Sequence, residues 1–267
     1  MDVEHQSLAP RYWLCTAGFW IAGAALGLLC LSAAIMLWIL LTWDQRLLMV
    51  MRQPWFTWTV ELPITLGALL GSYLLWGRWT DSHWQRRAGL LVLLNLFDSI
   101  HWGISQAGMM GIPVGAMGHE WLLHNAVLIF GWLEFYLFAS LSAEVASHLG
   151  MKAAPDAGRT ARQFSMFGLI VSLIYFVTQT RWGGGWPLIA GPRPNLAEAL
   201  MYLGVTFLRV IASLQVATLC LIAGVACRRT ARALAAEEQE RIESASSHPF
   251  SHADFDRSVM PDDRDAW

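Results

Sequence analysis

Six long apolar segments constrain the fold of this chain more than any other feature of its sequence. The hydrocarbon core of a bilayer is about 30 Å thick, and a helix of about 20 residues crosses it. Because the core offers no partners for unpaired backbone groups, such segments cross it as α-helices. The sequence therefore predicts an all-α, polytopic membrane bundle of six transmembrane helices. The predicted spans are residues 14–42, 57–77, 88–111, 120–147, 163–180 and 196–227.

These spans divide the chain into three parts. Residues 1–13 form an N-terminal segment, residues 14–227 the transmembrane domain, and residues 228–267 a helical extension that leads into a disordered tail. The composition is also that of a membrane protein, because 55% of the residues are hydrophobic and only 14% are charged. In soluble proteins about 25% of the residues are charged. This excludes a soluble enzyme and a disulfide-stapled secreted domain. The net charge of −2 indicates no basic surface for nucleic acid.

Lysine and arginine residues beside the spans predict the orientation of the chain. With the N-terminus inside, eleven of them fall in inside segments and four in outside loops. Since cytoplasmic loops of membrane proteins carry the excess of these residues, both termini are predicted to be cytoplasmic.

Three ionisable residues are predicted near the middle of the membrane: Asp98, Glu134 and Arg209. A charge at this depth costs about 2.5–3.5 kcal/mol on insertion scales, so it requires a partner or a function. Arginine keeps its proton and pairs with carboxylates through two parallel hydrogen bonds. We therefore predict a structural ion pair between Arg209 and Asp98 or Glu134. The carboxylate that does not pair with Arg209 is then either protonated or a functional ligand.

A second polar layer is predicted nearer the outside, where residues 110–118 join the third and fourth spans. Its histidines, together with a nearby carboxylate, form a set that suits copper, zinc or non-haem iron. A single histidine on a helix is usually only hydrogen-bonded, but histidines on facing helices at similar depth favour a metal or a haem. The candidate metal ligands are His101, His119, His124 and Asp98, and the carboxylates of this layer are Glu61, Glu120 and Glu198.

Several short motifs occur in a recognisable order along the chain. They are Trp43-Asp44, Trp55, Thr59, Leu62-Pro63-Ile64, Ser72-Tyr73-Leu74, Ile112-Pro113 and Trp186-Pro187-Leu188-Ile189-Ala190. In this order they resemble the small membrane subunit of the particulate methane and ammonia monooxygenases. One departure is Arg193, which stands where that family has a histidine. For this reason no metal ligand is carried over from the family.

The resemblance implies a copper-dependent monooxygenase that hydroxylates a small apolar substrate such as methane, ammonia or a short hydrocarbon. It also implies a complex with other membrane subunits, and we expect a multi-pass protein of the bacterial inner membrane with copper as its cofactor.

Two other classes of function remain open from the sequence. In a haem- or quinone-linked respiratory protein or an oxidase assembly factor, His101 and His124 would be axial haem ligands on adjacent helices. In a non-catalytic subunit or a small transporter, the polar layers would only hold the helices together, since such contacts contribute about 0.6 kcal/mol each.

Overall fold

The computed structural model describes residues 8–51, 53–76, 82–109, 120–181 and 196–247 of the 267, and these contain helices and no β-strand. A π-helical turn, Thr57–Glu61, lies between the third and fourth α-helices. The α-helices are α1 (Leu8–Thr42), α2 (Gln45–Met51), α3 (Pro54–Phe56), α4 (Leu62–Leu75), α5 (Ser82–Met109), α6 (Glu120–His148), α7 (Ala154–Arg181) and α8 (Leu196–Ser247).

The described residues contain six helical stretches that are long and apolar enough to cross a membrane, which confirms the predicted all-α bundle. Large apolar side chains such as Leu31, Trp38, Leu66, Leu93 and Leu214 lie on the outer surface of the bundle. A surface of this kind indicates a multi-pass membrane protein in contact with lipid.

Two helices extend well beyond their predicted spans. Helix α7 begins at Ala154 rather than at residue 163, and α8 continues past residue 227 to Ser247. Apolarity ends at the membrane surface, whereas backbone hydrogen bonding can continue into water. The charged turns that contain Arg159 and Arg229 are therefore helical although they are too polar for the hydrocarbon core. Disorder is predicted after about residue 245; α8 continues to Ser247, and the remainder of the predicted tail lies outside the described residues.

Consecutive spans run antiparallel. Helix α1 packs on α4 and α8, α4 on α5, α5 on α6, and α6 on α7 and α8, while α7 also contacts α8. For example, Trp84 near the start of α5 donates a hydrogen bond of 3.1 Å to the carbonyl of Leu75 at the end of α4. At the opposite end of the same helix pair, the rings of Trp58 and Trp102 are 5.9 Å apart. The chain thus closes a ring of α1, α4, α5, α6 and α8, with α7 packed outside α6 and α8.

Small residues allow α1 and α4 to approach closely. A Cβ atom at Gly71 would lie 2.8 Å from the Cβ of Ala22, 2.9 Å from the nitrogen of Ala22 and 2.9 Å from the carbonyl oxygen of Gly18. Glycine and alanine at facing positions let helix backbones meet in a membrane, where packing rather than the hydrophobic effect drives association. The small residues of the first span therefore pack within the chain, against α4.

A second close contact joins α1 to α8. The ring of Trp20 lies against Gly224 and leaves no room for a Cβ atom there. The guanidinium carbon of Arg228 lies 5.2 Å from the centre of the same ring, which is a cation–π distance. The N-terminal part of α1 and the C-terminal part of α8 therefore lie at the same end of the bundle.

The π-helical turn before α4 has a cause in the sequence. Pro63 has no backbone N–H and its ring crowds the carbonyl four residues earlier, which disfavours regular α-helix in the preceding turn. The amide of Leu62 instead reaches back five residues to the carbonyl of Thr57. Such turns are frequent at functional sites, and this one carries Trp58 and Glu61.

An ion pair joins α5 to α6 at the end of the bundle where α5 begins. Nη2 of Arg87 lies 2.6 Å from Oε2 of Glu144, and Nη1 donates to the hydroxyl of Ser140 at 3.2 Å. Both charged side chains are about 30% exposed. Arg87, which the sequence predicts to lie on the inside, thus also bridges two helices.

Neutralising Glu144 tests this bridge. We expect Glu144→Gln to lower the free energy of unfolding in detergent by about 1 kcal/mol, because the pair is short but still reached by solvent. Glu238→Gln is a matched control, since Glu238 is exposed on α8 and has no ion-pair partner among the described residues. Equal effects of the two substitutions would contradict a stabilising role for the pair.

Candidate functional site

The structure brings Asp98, Glu134 and Arg209 into one cluster. They lie on α5, α6 and α8, three helices that follow one another around the ring. Asp98 interacts electrostatically with Arg209 and with His101, and Glu134 interacts electrostatically with Asp98 and Arg209. Tyr202, two turns before Arg209 on α8, also lies within electrostatic range of that arginine. The cluster therefore combines two carboxylates, one guanidinium and a phenol inside the bundle.

These charges are close without being in contact. Within the described part of the chain, Arg209 forms no ion pair within 4.0 Å with Asp98 or Glu134. The Oε1 atom of Glu134 is shielded from solvent and has no hydrogen-bond partner among the described residues. Buried polar atoms in proteins nearly always have a partner. Oε1 of Glu134 is therefore an exception to this rule within the described part of the bundle.

Helices α5 and α6 run antiparallel with a defined register. Arg87 pairs with Glu144, and the rings of Phe97 and Phe130 are 5.2 Å apart in an edge-to-face contact. This register sets His101 about level with residue 126. His124 lies about two residues before that position in α6, or about 3 Å away at a rise of 1.5 Å per residue. The two histidines are thus carried at nearly the same level of adjacent helices.

The structure describes only part of the predicted metal site. His119 lies outside the described residues, and of His124 the structure describes only the backbone within α6. Among the side chains that the structure does describe, no three His, Cys, Asp or Glu groups meet as a metal site. Asp98 is near His101, but it is also within range of Arg209. The predicted metal site of His101, His119, His124 and Asp98 therefore stays a prediction.

The predicted carboxylates of the outer layer are distributed over three helices. Glu61 ends the π-helical turn, and Glu120 is the first residue of α6. Glu198 lies in the first turn of α8, and nothing is described of the side chains of Glu120 and Glu198.

Trp102 also belongs to this region, although it is not among the candidate residues predicted from the sequence. Its indole nitrogen is buried and has no hydrogen-bond partner among the described residues, and its ring meets Trp58 edge to face at 5.9 Å. Trp102 follows Asp98 by four residues and so shares its helical face. That spacing was a usable signal, but tryptophans near span ends are more often interfacial anchors.

Asn95 has a structural role on the same face of α5. It is buried, and its side-chain amide donates a hydrogen bond of 2.9 Å to the carbonyl of Leu91 within its own helix. Its amide nitrogen is therefore engaged one turn before Asp98.

No protein-family model, curated protein or solved structure matches this chain.

Proposed function

We propose that this chain is a membrane subunit of a copper-dependent monooxygenase complex that hydroxylates a small apolar substrate. The observation that supports the proposal most directly is the position of His101 and His124 at nearly the same level of the antiparallel helices α5 and α6. Two imidazoles on facing helices form a donor set that suits copper, and the resemblance of the sequence motifs to the monooxygenase subunit points to the same metal.

Residues of this chain would perform two tasks in such a site. His101 and His124 would hold the metal through neutral ring nitrogens, with His119 as a further candidate ligand and Asp98 as a neighbouring carboxylate. Phe97 lies about one turn from His101 and Phe130 nearly two turns from His124. The two rings pack against each other, and they favour an apolar substrate and exclude water. Bound copper supplies the oxygen chemistry of such complexes.

The proposal also covers the membrane, the orientation and the partner subunits of this chain. The complex would lie in a bacterial inner membrane, with both termini of this chain in the cytoplasm and other membrane subunits beside it. The positive-inside count supports this orientation. Arg87 and the basic start of the α8 extension, Arg228 and Arg229, belong to the segments counted as inside.

Copper analysis of the purified protein tests the proposal. We expect copper to co-purify with the wild-type complex, and His101→Ala or His124→Ala to lower the copper content at least about tenfold, since loss of even a supporting group costs tenfold or more. His148→Ala is the control, because His148 lies at the other end of α6. Absence of copper from the wild-type protein, with activity unaffected by both substitutions, would refute the proposal.

The same two histidines support a second candidate, a haem-linked respiratory membrane protein. One histidine from each of two adjacent helices is a common way to hold a haem between them. A Soret band in the visible spectrum of the purified protein would favour this candidate over copper, and its loss in His101→Ala would assign the ligand. A protein without visible absorbance would eliminate it.

A further inference from the structure

Helices α1 and α8 meet along a seam on the outer surface of the bundle. They run antiparallel, and a Cβ atom at Gly23 of α1 would lie 3.1 Å from Leu221 of α8. The ring of Trp20 lies against Gly224, about one turn further along α8. Trp20 and Leu221 are both exposed, which places this seam at the lipid-facing surface. The two contacts set a register in which Arg228 is about level with residue 16 of α1.

Arg228 is held at this seam without a charged partner. Its guanidinium carbon lies 5.2 Å from the centre of the Trp20 ring, and stacking on an aromatic face orients the planar guanidinium. Its Nε atom is shielded from solvent and has no hydrogen-bond partner among the described residues. No described carboxylate lies within 4.0 Å of this arginine. Because the side chain is only half-buried, Arg228 presents an oriented and uncompensated positive charge at the outer surface.

A second arginine and a second tryptophan lie beside it. Trp13 is 43% exposed and lies on the same face of α1 as Trp20, two turns earlier. Arg232 is exposed, lies one turn after Arg228 on the same side of α8, and forms no ion pair with any described residue. In the register of the two helices, Arg228 lies between the levels of the two tryptophans and Arg232 lies close to the level of Trp13. Two guanidinium groups and two indoles thus share one stretch of surface.

This stretch lies where lipid headgroups are expected. The predicted sixth span ends at residue 227, directly before Arg228, and the exposed side chains on the membrane side of it, Leu221 and Val225, are apolar. Tryptophan is enriched at the boundary between hydrocarbon and headgroups, and arginines beside a span attract anionic lipids. The surface is therefore apolar at one end and positively charged at the other, which is complementary to an anionic phospholipid.

We propose that the seam formed by Trp13, Trp20, Arg228 and Arg232 binds one anionic phospholipid. The headgroup phosphate lies against the two guanidinium groups, whose planar arrangement of donors matches phosphate oxygens. The acyl chains follow the apolar surface at Leu221 into the bilayer. None of these residues belongs to the proposed copper site, so the lipid site does not depend on copper.

Native mass spectrometry of the delipidated full-length protein, titrated in detergent with phosphatidylglycerol or phosphatidylcholine, tests this proposal. We expect the first phosphatidylglycerol to bind at least about tenfold more tightly than the first phosphatidylcholine, since each arginine at the membrane surface contributes about fivefold in affinity for anionic lipid. Arg228→Gln should lower the affinity for phosphatidylglycerol about fivefold, and Arg232→Gln should do the same. Trp20→Leu keeps both charges and should lower it about threefold, through loss of the cation–π contact.

Arg159→Gln is the matched control. Arg159 is exposed in the first turns of α7, at the same end of the bundle, and has no ion-pair partner among the described residues. Its replacement removes one positive charge from that end without changing the seam, so the affinity for phosphatidylglycerol should stay at the wild-type value. Arg232→Gln replaces Arg228→Gln if the latter does not fold.

Three results would overturn the proposal. The first is equal affinity of the wild-type protein for the two lipids. The second is a loss in Arg159→Gln as large as the loss in the variants of the seam, because general attraction to positive charge would then explain the binding. The third is displacement of the bound phosphatidylglycerol by excess inorganic phosphate, because the site would then recognise phosphate alone and not a lipid.

Discussion

Replacing Trp132 with alanine is expected to lower the free energy of unfolding by about 3 kcal/mol, near the lower end of the range for tryptophan truncation in a protein core. Trp132 is only 2% exposed, and its indole donates a hydrogen bond to Ser172 of α7. Its ring also occupies the space that a Cβ atom at Gly168 would enter. Lipid is as apolar as a side chain, so the loss arises from the cavity and the broken hydrogen bond rather than from transfer to water.

Two variants separate these contributions in a denaturant titration in detergent. Ser172→Ala removes only the hydrogen-bond acceptor and should cost about 1 kcal/mol. Trp38→Ala is the control, because Trp38 is 59% exposed on the lipid-facing side of α1, and its loss should be small. If Trp132→Ala costs no more than Trp38→Ala, the packing of α6 on α7 is not what stabilises this half of the bundle.

The second large effect is expected at the contact between α1 and α4. Gly71→Leu should destabilise the protein by about 3 kcal/mol or prevent its accumulation, because overpacking a closely packed contact costs about 1–3 kcal/mol even where side chains can yield. At Gly71 the new side chain would meet the backbone of Gly18 and Ala22. Backbone atoms in two helices cannot move aside without separating the helices.

Gly27→Leu is the matched control for this substitution. Gly27 lies in a spanning helix as Gly71 does, but a Cβ atom there would meet no atom within 4 Å. We expect Gly27→Leu to fold with wild-type stability, measured by size-exclusion chromatography and by thermal unfolding in detergent. Similar losses in both variants would show that any leucine at a glycine of α1 or α4 is harmful, whatever it contacts.

The six spanning helices could be predicted from the sequence because a bilayer imposes one rule on every segment. A stretch of about 20 apolar residues must satisfy its own backbone hydrogen bonds, whichever helices surround it. The start of α7 was less predictable, because the end of apolarity marks the membrane surface and not the end of the helix.

The candidate site was predictable only in part. Helical spacing and depth place Asp98, Glu134 and Arg209 in one layer, because each position along a helix has a fixed rise and angle. Which atoms meet depends on side-chain rotamers and on the register between helices. Neither can be derived from the sequence of a single segment. The separation of Arg209 from both carboxylates and the unpartnered Oε1 of Glu134 therefore emerge only from the packed structure.

Arg87 illustrates the same limit. Its position beside a span suffices to predict it on the inside, because the positive-inside rule depends only on the distance along the sequence from a span. Its partner Glu144 is 57 residues away, and the contact depends on the antiparallel register of α5 and α6. Similarly, the glycines that tolerate no side chain, Gly71 and Gly168, cannot be told from Gly27 in the sequence, since the neighbouring helix decides the difference.

The sequence by itself determined that this is an all-helical chain with six membrane-crossing segments, and that its few intramembrane charges lie in a central layer. Both follow from local rules, namely hydrogen bonding within a helix and the cost of charge in hydrocarbon. Only the tertiary structure decided which helices are neighbours, which glycines touch backbone, and that Glu134 faces Asp98 and Arg209 with an oxygen left free. Those are properties of contacts between segments far apart in the chain, and no local rule specifies them.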